Sequence, residues 1–389
     1  MDFDEPVERR GTNSLKWDGV GRAAGIEGDD VLPMWIADTD FRTAPVVREA
    51  LVRMAEAGLM AYMSDLGEMR RAVAWWMKTR HDWPIDPEAV LACHGLGNGL
   101  ALAIDALTEP GDGVVIFTPV YHEFAGRIRA AGRRPVEVPL AVEDGRQTFD
   151  LDCAGDMLDG TERLVIVCSP QNPGGRVWTE TELSAVAAFA EARGLYLLAD
   201  EIHHDLVYPG RRFRPMADAG ADPARLVTIT APSKTFNTAG LRLGHMIVGD
   251  AGLRGKMRST LDKRSIQPNM AGVVAATAAY SPDGADWADA LVAYLDGNRR
   301  AFDAGVNAIP GVRSMPLEAT FLAWVDFSGT GMDQAEIEKR VSDHARIAVN
   351  RGPSFGPGGE KHLRVNIGTQ RDRVDEAVRR LQAAFADLQ

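Results

Sequence analysis

The sequence predicts an α/β protein: a large domain on a mainly parallel sheet covered by helices, then a small α+β domain at the C-terminus. Three observations carry this expectation. From about residue 90 the pattern alternates repeatedly between short apolar runs and amphipathic helical spacing. Runs such as Leu164-Val-Ile-Val-Cys168 are apolar at every position, as strands buried on both faces require. Beyond residue 286 the order changes to one long helical segment followed by separate strands and helices. A chain of 389 residues is also too long for one small core and suits one large and one smaller domain.

Taken in order, residues 1–43 scatter Trp17, Trp35 and Phe41 among acids and glycines and read as an arm that docks on the rest. The large domain spans residues 44–285. Segments 44–58 and 66–81 carry apolar residues at helical spacing, the first closed by Gly58. Strand and helix patterns then follow: strand 90–93, helix 96–107, strand 114–117, helix 121–131, strands 136–139 and 164–168. Helix 179–193 opens on Thr179-Glu-Thr-Glu182, a capping-box pattern in which threonine and glutamate satisfy each other's backbone N–H groups. Strands 195–199, 226–230 and 245–248 complete the sheet. The small domain, residues 286–389, reads as helix 287–308, strand 321–327, helix 333–345, strand 362–367 and helix 371–388.

Composition is that of a globular protein in water, with 45% hydrophobic and 25% charged residues. A net charge of -12 disfavours nucleic acid and anionic membranes as partners. No apolar run approaches the ~20 residues of a membrane span. The opening Met1-Asp-Phe-Asp-Glu5 lacks the apolar stretch of a signal peptide, so a cytoplasmic protein is expected. Cys93, Cys153 and Cys168 are odd in number, show no metal spacing and read as small buried hydrophobes in a reducing compartment. His203 and His204 are metal ligands by type, but no third partner lies at ligand spacing, and no metal is expected.

Ligands of open α/β sheets bind outside the carboxyl ends of the strands, so the residues there are the candidates. Strand 90–93 leads into His94-Gly-Leu-Gly-Asn-Gly-Leu100, which opens a helix. Glycines let an anion approach the backbone, and a helix N-terminus offers free N–H groups and positive potential, here at Leu96 and Gly97. The loop is not a dinucleotide fingerprint, and a single phosphate fits it better. Strand 114–117 ends in Thr118-Pro-Val-Tyr121, which brings an aromatic ring. Strand 164–168 leads to Asn172, an amide donor, and strand 195–199 to Asp200 with His203 close behind. Strand 226–230 is followed by Ala231-Pro-Ser-Lys234, and Arg242 lies in Gly240-Leu-Arg-Leu-Gly244. A lysine at a buried strand end is costly unless paired or chemically used, and burial lowers its pKa and makes it a carbonyl-trapping nucleophile.

Each of these residues has an ordinary structural reading when taken singly. Together they match pyridoxal 5′-phosphate (PLP). Its aldehyde needs a lysine, its ring nitrogen a carboxylate, its ring oxygen a donor and its ring a flat partner. Its phosphate needs N–H groups and a cation such as Arg242, and Ser233 beside the lysine is counted with the cofactor-binding residues.

The order of these motifs resembles the fold type I PLP-dependent enzymes, the aminotransferase class I/II superfamily, over essentially the whole chain. The detail resembles the branch of cystathionine β-lyases and cysteine-S-conjugate β-lyases. It is carried by Leu32-Pro-Met-Trp-Ile-Ala-Asp38, Asp200-Glu-Ile-His-His-Asp-Leu-Val-Tyr208 and Ala231-Pro-Ser-Lys-Thr-Phe-Asn237. Gly352-Pro-Ser-Phe-Gly356 and His362-Leu-Arg-Val-Asn366 belong with them. The resemblance implies a fold type I transferase with a mainly parallel sheet of seven-stranded type. It implies Lys234, Asp200 and Tyr121 as the catalytic set and His203 beside the cofactor. Arg364 would hold the substrate α-carboxylate, with Trp35, Ala37 and Asn172 around the substrate. A homodimer is implied in which Tyr62 reaches the neighbouring cofactor phosphate. The implied reaction is carbon–sulfur β-elimination on cystathionine or cysteine S-conjugates, giving pyruvate, ammonia and a thiol. Arg242 resembles the phosphate arginine of true aminotransferases, so transamination is the second reading. A non-catalytic regulator of the same fold is the third, and the intact Lys234 and the absence of a basic DNA-binding segment count against it.

Overall fold

The computed structural model describes residues 1–388. Its centre is a seven-stranded sheet: β1 (Val90–Cys93), β2 (Gly113–Thr118), β3 (Arg134–Pro139), β4 (Glu162–Cys168), β5 (Tyr196–Asp200), β6 (Leu226–Thr230) and β7 (Gly244–Ile247). Their spatial order is β1-β7-β6-β5-β4-β2-β3. The neighbours from β3 to β6 pair in parallel, whereas β7 runs antiparallel to both β1 and β6. The reversal has a local cause. A parallel return is usually made through a helix that crosses one face of the sheet. Residues 231–243, between β6 and β7, form only the Lys234 turn and a short 3-10 turn at Ala239–Leu241, with no crossover helix.

Every residue of β1, β2, β6 and β7 is buried, because helices cover both faces. One face packs Ile116, Ile166, Leu198 and Ile229 against Leu100, Ile104, Phe124 and Met257. The other packs Val115, Val165 and Leu197 against Leu183, Val186 and Ala190. Each such aliphatic side chain contributes about 1.5–3 kcal/mol on burial. The capping box at Thr179 forms as its sequence requires: Thr179 accepts from Glu182 N–H, and the Glu182 carboxylate accepts from Thr179 N–H.

The tail builds a four-stranded antiparallel sheet in the order Arg313–Ser314, Leu322–Asp326, His362–Asn366, Asn350–Arg351. Helices Pro282–Val306 and Arg371–Ala384 share a core with its strands. The arm is fastened at several points. Leu32–Pro33 pairs with Ile347–Ala348 of the tail. Buried Asp40 accepts from Trp17 Nε1 at 2.8 Å, Lys16 Nζ at 3.0 Å and Arg9 Nη1 at 3.0 Å. Asn237 Nδ2 donates to Thr39 O and Phe41 O, each at 2.9 Å, which ties the arm to the turn carrying Lys234.

Some elements differ from the sequence expectation. The arm contains two short helices, Leu15–Asp18 and Val20–Ala24, where irregular chain was expected. Helix 121–131 begins at Glu123, and helix 333–345 is Gln334–Lys339 continued by a π turn over Arg340–His344. Helices Ala251–Lys263 and Met270–Ala279 were not anticipated. The first carries two glycines and only a narrow stripe of Leu253, Met257 and Leu261; the second has no polar face from which to read a period.

Candidate active site

A cleft of about 760 Å3 opens at the carboxyl ends of β1, β4, β5 and β6 and is closed over by the arm and the small sheet. Trp35, Ala37, Leu96, Gly97, Tyr121, Asn172, Asp200, His203, Ser233, Lys234, Arg242 and Arg364 all line it. These are the candidate residues of the sequence with the exception of Tyr62. The strands explain the convergence: Asp200 ends β5, Asn172 follows β4, and Lys234 follows β6. Arg364 arrives from the tail on His362–Asn366, opposite Trp324 in the small sheet.

Lys234 Nζ donates to Ala37 O at 2.6 Å. Burial lowers its pKa to about 8, with Asp38 opposing the shift, Arg364 adding to it and Asp200 opposing it. A neutral amine is therefore well populated just above neutral pH, where an ordinary lysine is almost wholly charged. The neutral amine is the form that attacks a carbonyl. Capture of PLP by the apo-protein is accordingly expected to speed up with pH and level off above about 8. Stopped-flow absorbance checks this; a rate still climbing towards ~10.4, the value of a free lysine, would contradict it.

Asp200 is buried, and its side chain takes one hydrogen bond within the described residues, from Ile202 N–H at 3.2 Å. Burial pushes its carboxyl up to about 7, against the lowering by Ile202 N–H and Lys234. A carboxylate so poorly supplied with donors is ready to take a cationic N–H. His203 is also buried, its Nδ1 has no partner, and burial together with the Lys234 and Arg364 charges holds it well below its ordinary pKa. Arg364 donates to Asn172 Oδ1 at 3.0 Å, Trp35 O at 2.9 Å and Asn350 Oδ1 at 2.6 Å. Its Nε is buried without a partner, and burial lowers its pKa to about 10. It is a guanidinium held by neutral oxygens, with no carboxylate beside it.

At the other end, Gly95 adopts φ +79°, a conformation that favours glycine, and caps helix Leu96–Leu107. The N–H groups of Leu96 and Gly97 make no hydrogen bond within the described chain. Ser233 and Arg242 stand at the same loop, and the Arg242 guanidinium has no ion pair or hydrogen bond among the described residues. These donors fit PLP group by group: an amine for its aldehyde, an under-supplied buried carboxylate for its ring nitrogen, free amides and a cation for its phosphate. The unpaired Nε of Arg364 leaves a second anion site for a substrate carboxylate.

Beneath the lysine lies a cluster that sequence reasoning missed. Asp205 Oδ1 accepts from Trp76 Nε1 and contacts His81 Nε2, each at 2.9 Å, and Oδ2 accepts from Thr235 Oγ1 at 3.0 Å. His204 Nε2 lies 3.2 Å from the same Oδ1, and its Nδ1 is 2.6 Å from Glu201 O. Thus His204 does find further ligand-type partners, His81 and Asp205, from distant parts of the chain. Trp76 N–H and Thr235 O–H donate to this carboxylate, and the His81 and His204 rings lie beside it. Burial alone would raise the Asp205 pKa, but His204, His81 and Trp76 outweigh it and hold the group below the usual range. Since Thr235 follows Lys234, this hub anchors the catalytic turn. Asp205→Ala leaves those donors unpaired in the core and is expected to cost on the order of 3–5 kcal/mol, read by urea unfolding. A change below about 1 kcal/mol would contradict the role of the hub.

Tyr62 is fully exposed and lies outside this cleft of its own chain.

Fold and cleft together define a protein of the fold type I PLP class. The model of the aminotransferase class I and II family matches residues 30–381, and the chain belongs to that family. It is 36% identical over 390 residues to the cystathionine beta-lyase PatB of Bacillus subtilis (strain 168), covering 99% of this chain and 100% of that one. Among solved structures, PLP-containing cystalysin from Treponema denticola superposes with a TM-score of 0.94 at 31% identity, over 100% of this chain and 99% of that one. The PLP-bound C-S lyase of Staphylococcus hominis, complexed with L-cycloserine, gives 0.92 at 28% identity, over 99% and 98% of the two chains.

Proposed function

We propose that this protein is a PLP-dependent carbon–sulfur β-lyase acting on cystathionine or a related cysteine S-conjugate. The observation that carries the proposal is the placement of the Lys234 amine, the Asp200 carboxylate and the unpaired Arg364 guanidinium around one cleft. Full-length similarity to PatB supports elimination as the reaction.

Lys234 is the amine that would hold the cofactor aldehyde, and its neutral form would take the proton from the substrate Cα. For both roles it must leave Ala37 O. The Asp200 carboxylate would accept from the ring nitrogen, and a cationic N–H there would favour its ionised form. Asn172 would donate to the ring oxygen, with Tyr121 and His203 lining the cleft beside the ring. Leu96, Gly97, Ser233 and Arg242 would hold the phosphate. Arg364 clamps the α-carboxylate, with Trp35 and Ala37 contributing backbone around it. When bound, PLP takes up the electron pair left at Cα, which allows a thiolate to leave from Cβ; pyruvate and ammonia follow on hydrolysis.

The reading includes a homodimer in which Tyr62 serves the neighbouring phosphate. Leu59, Met60 and Tyr62 are exposed apolar side chains close in sequence, of the kind a partner covers. A fully active monomer in sedimentation would overturn that part. We also read residues 1–43, 44–285 and 286–389 as arm, large and small domains. The three free cysteines suit the cytoplasm, and no helix is long and apolar enough to cross a membrane.

The same residues could return a proton to the cofactor and complete a transamination. The test is to supply L-cystathionine to the holoenzyme without any 2-oxo acid. Equimolar thiol and pyruvate over many turnovers are expected. Absence of thiol, with amino-group transfer once a 2-oxo acid is added, would replace elimination by transamination.

A further inference from the structure

We infer that Arg127 is a second cation for the cofactor phosphate, admitted to the phosphate loop because Gly97 has no side chain. The inference rests on the proposed reading of the cleft as a PLP site.

Arg127 lies on helix Glu123–Ala130 and lines the cleft that holds Lys234. Its guanidinium covers Gly97: a Cβ on that residue would stand 2.7 Å from Nη2 and 3.0 Å from Cζ. The backbone of Gly97 is outside the left-handed region, so space, not conformation, calls for glycine there. The Arg127 side chain is 37% exposed and its Nη2 pairs with Glu123 Oε2 at 2.9 Å, while its Nε atom, on the side towards Gly97, is buried without a partner.

Electrostatics makes the placement informative. The first N–H groups of helix Leu96–Leu107 form its positive end, where a cation is unfavourable. Yet Arg127 lies against Gly97, and Arg242, itself unpaired, lies against Gly95, whose added Cβ would be 3.9 Å from its Cδ. Two guanidinium groups thus flank a helix N-terminus, and a phosphate monoester of about −1.5 to −2 charge is the anion that suits such a setting. A plain surface pair between Glu123 and Arg127, one turn apart, would account for the ion pair. It would not account for the buried unpartnered Nε or for the fit to Gly97. Glu123 holds the guanidinium in place and shares it with the phosphate.

The experiment compares two ligands that differ only in the phosphate. Apo-protein is titrated with PLP and with pyridoxal, following visible absorbance and tryptophan fluorescence, for wild type, Arg127→Gln and Gly97→Ala. Loss of a charge-assisted contact is expected to raise the PLP Kd by about 10-fold to 100-fold in both variants. The pyridoxal Kd should stay within about twofold, which also reports an intact, folded site. Equal weakening of both ligands, or no weakening of PLP, would overturn the inference. A wild-type protein that bound neither ligand would remove the PLP reading itself and the inference with it. Wild-type binding without phosphate selectivity in the variants would remove the inference alone.

Discussion

Lys234→Ala is expected to reduce kcat for elimination by about 10^4-fold or more. In the proposed mechanism the amine would supply two separate contributions, capture of the cofactor aldehyde and removal of the Cα proton, and positioned general bases alone are worth about 10^2 to 10^4. Two neighbours in the cleft are poor substitutes: burial holds His203 far below its ordinary pKa, and in the proposed arrangement the Asp200 carboxylate would be occupied by the ring nitrogen. The variant should still bind PLP through its phosphate, so a PLP titration should show near-normal saturation without a covalent bond. Lys234→Arg should be equally inactive, because a guanidinium stays protonated at working pH. Steady-state kinetics check both variants. Residual turnover above about 1% of wild type would exclude Lys234 as the base.

Arg364→Ala should be the second most damaging change, and of a different kind. The guanidinium is buried among neutral oxygens, so a substrate carboxylate would be its first anionic partner. Losing one member of a buried charge pair costs about 2–5 kcal/mol, so kcat/KM should fall about 30-fold to 4,000-fold. PLP affinity should change little. Lysine cannot copy the two-pronged geometry, and Arg364→Lys should recover only a small part. Arg242→Ala should instead raise the PLP Kd and leave substrate KM nearly unchanged at saturating cofactor. If the two variants exchanged these effects, the phosphate and substrate ends of the cleft would have to be exchanged as well.

The legible parts of the site are those that chain order writes locally. Asn172, Asp200 and Lys234 each follow an apolar strand within a few residues, so recognising β4, β5 and β6 placed them at one sheet edge. The helix from Leu96 was equally clear, because its glycines directly follow β1. The Asp205 hub was not, since Trp76, His81 and Thr235 approach it from distant segments. A trace was present nonetheless: His81 extends the buried stripe Met69, Val73, Trp76, Met77, and a histidine on an apolar face needs a partner. The contact of Arg127 with Gly97 left no trace, because it joins two helices with no shared period. The reversal of β7 could have been read from the lack of a helical pattern between β6 and β7. Met270–Ala279, apolar on all sides, could not be told from a strand by periodicity.

The central claim is that one lysine organises this cleft around PLP. Purified holoenzyme should be reduced with borohydride, digested and mapped by mass spectrometry. The account expects the visible absorption band to disappear and a pyridoxyl-phosphate adduct to be found on the peptide carrying Lys234 and on no other. A reduced adduct on a different lysine, or a protein that takes up no PLP at all, would contradict it.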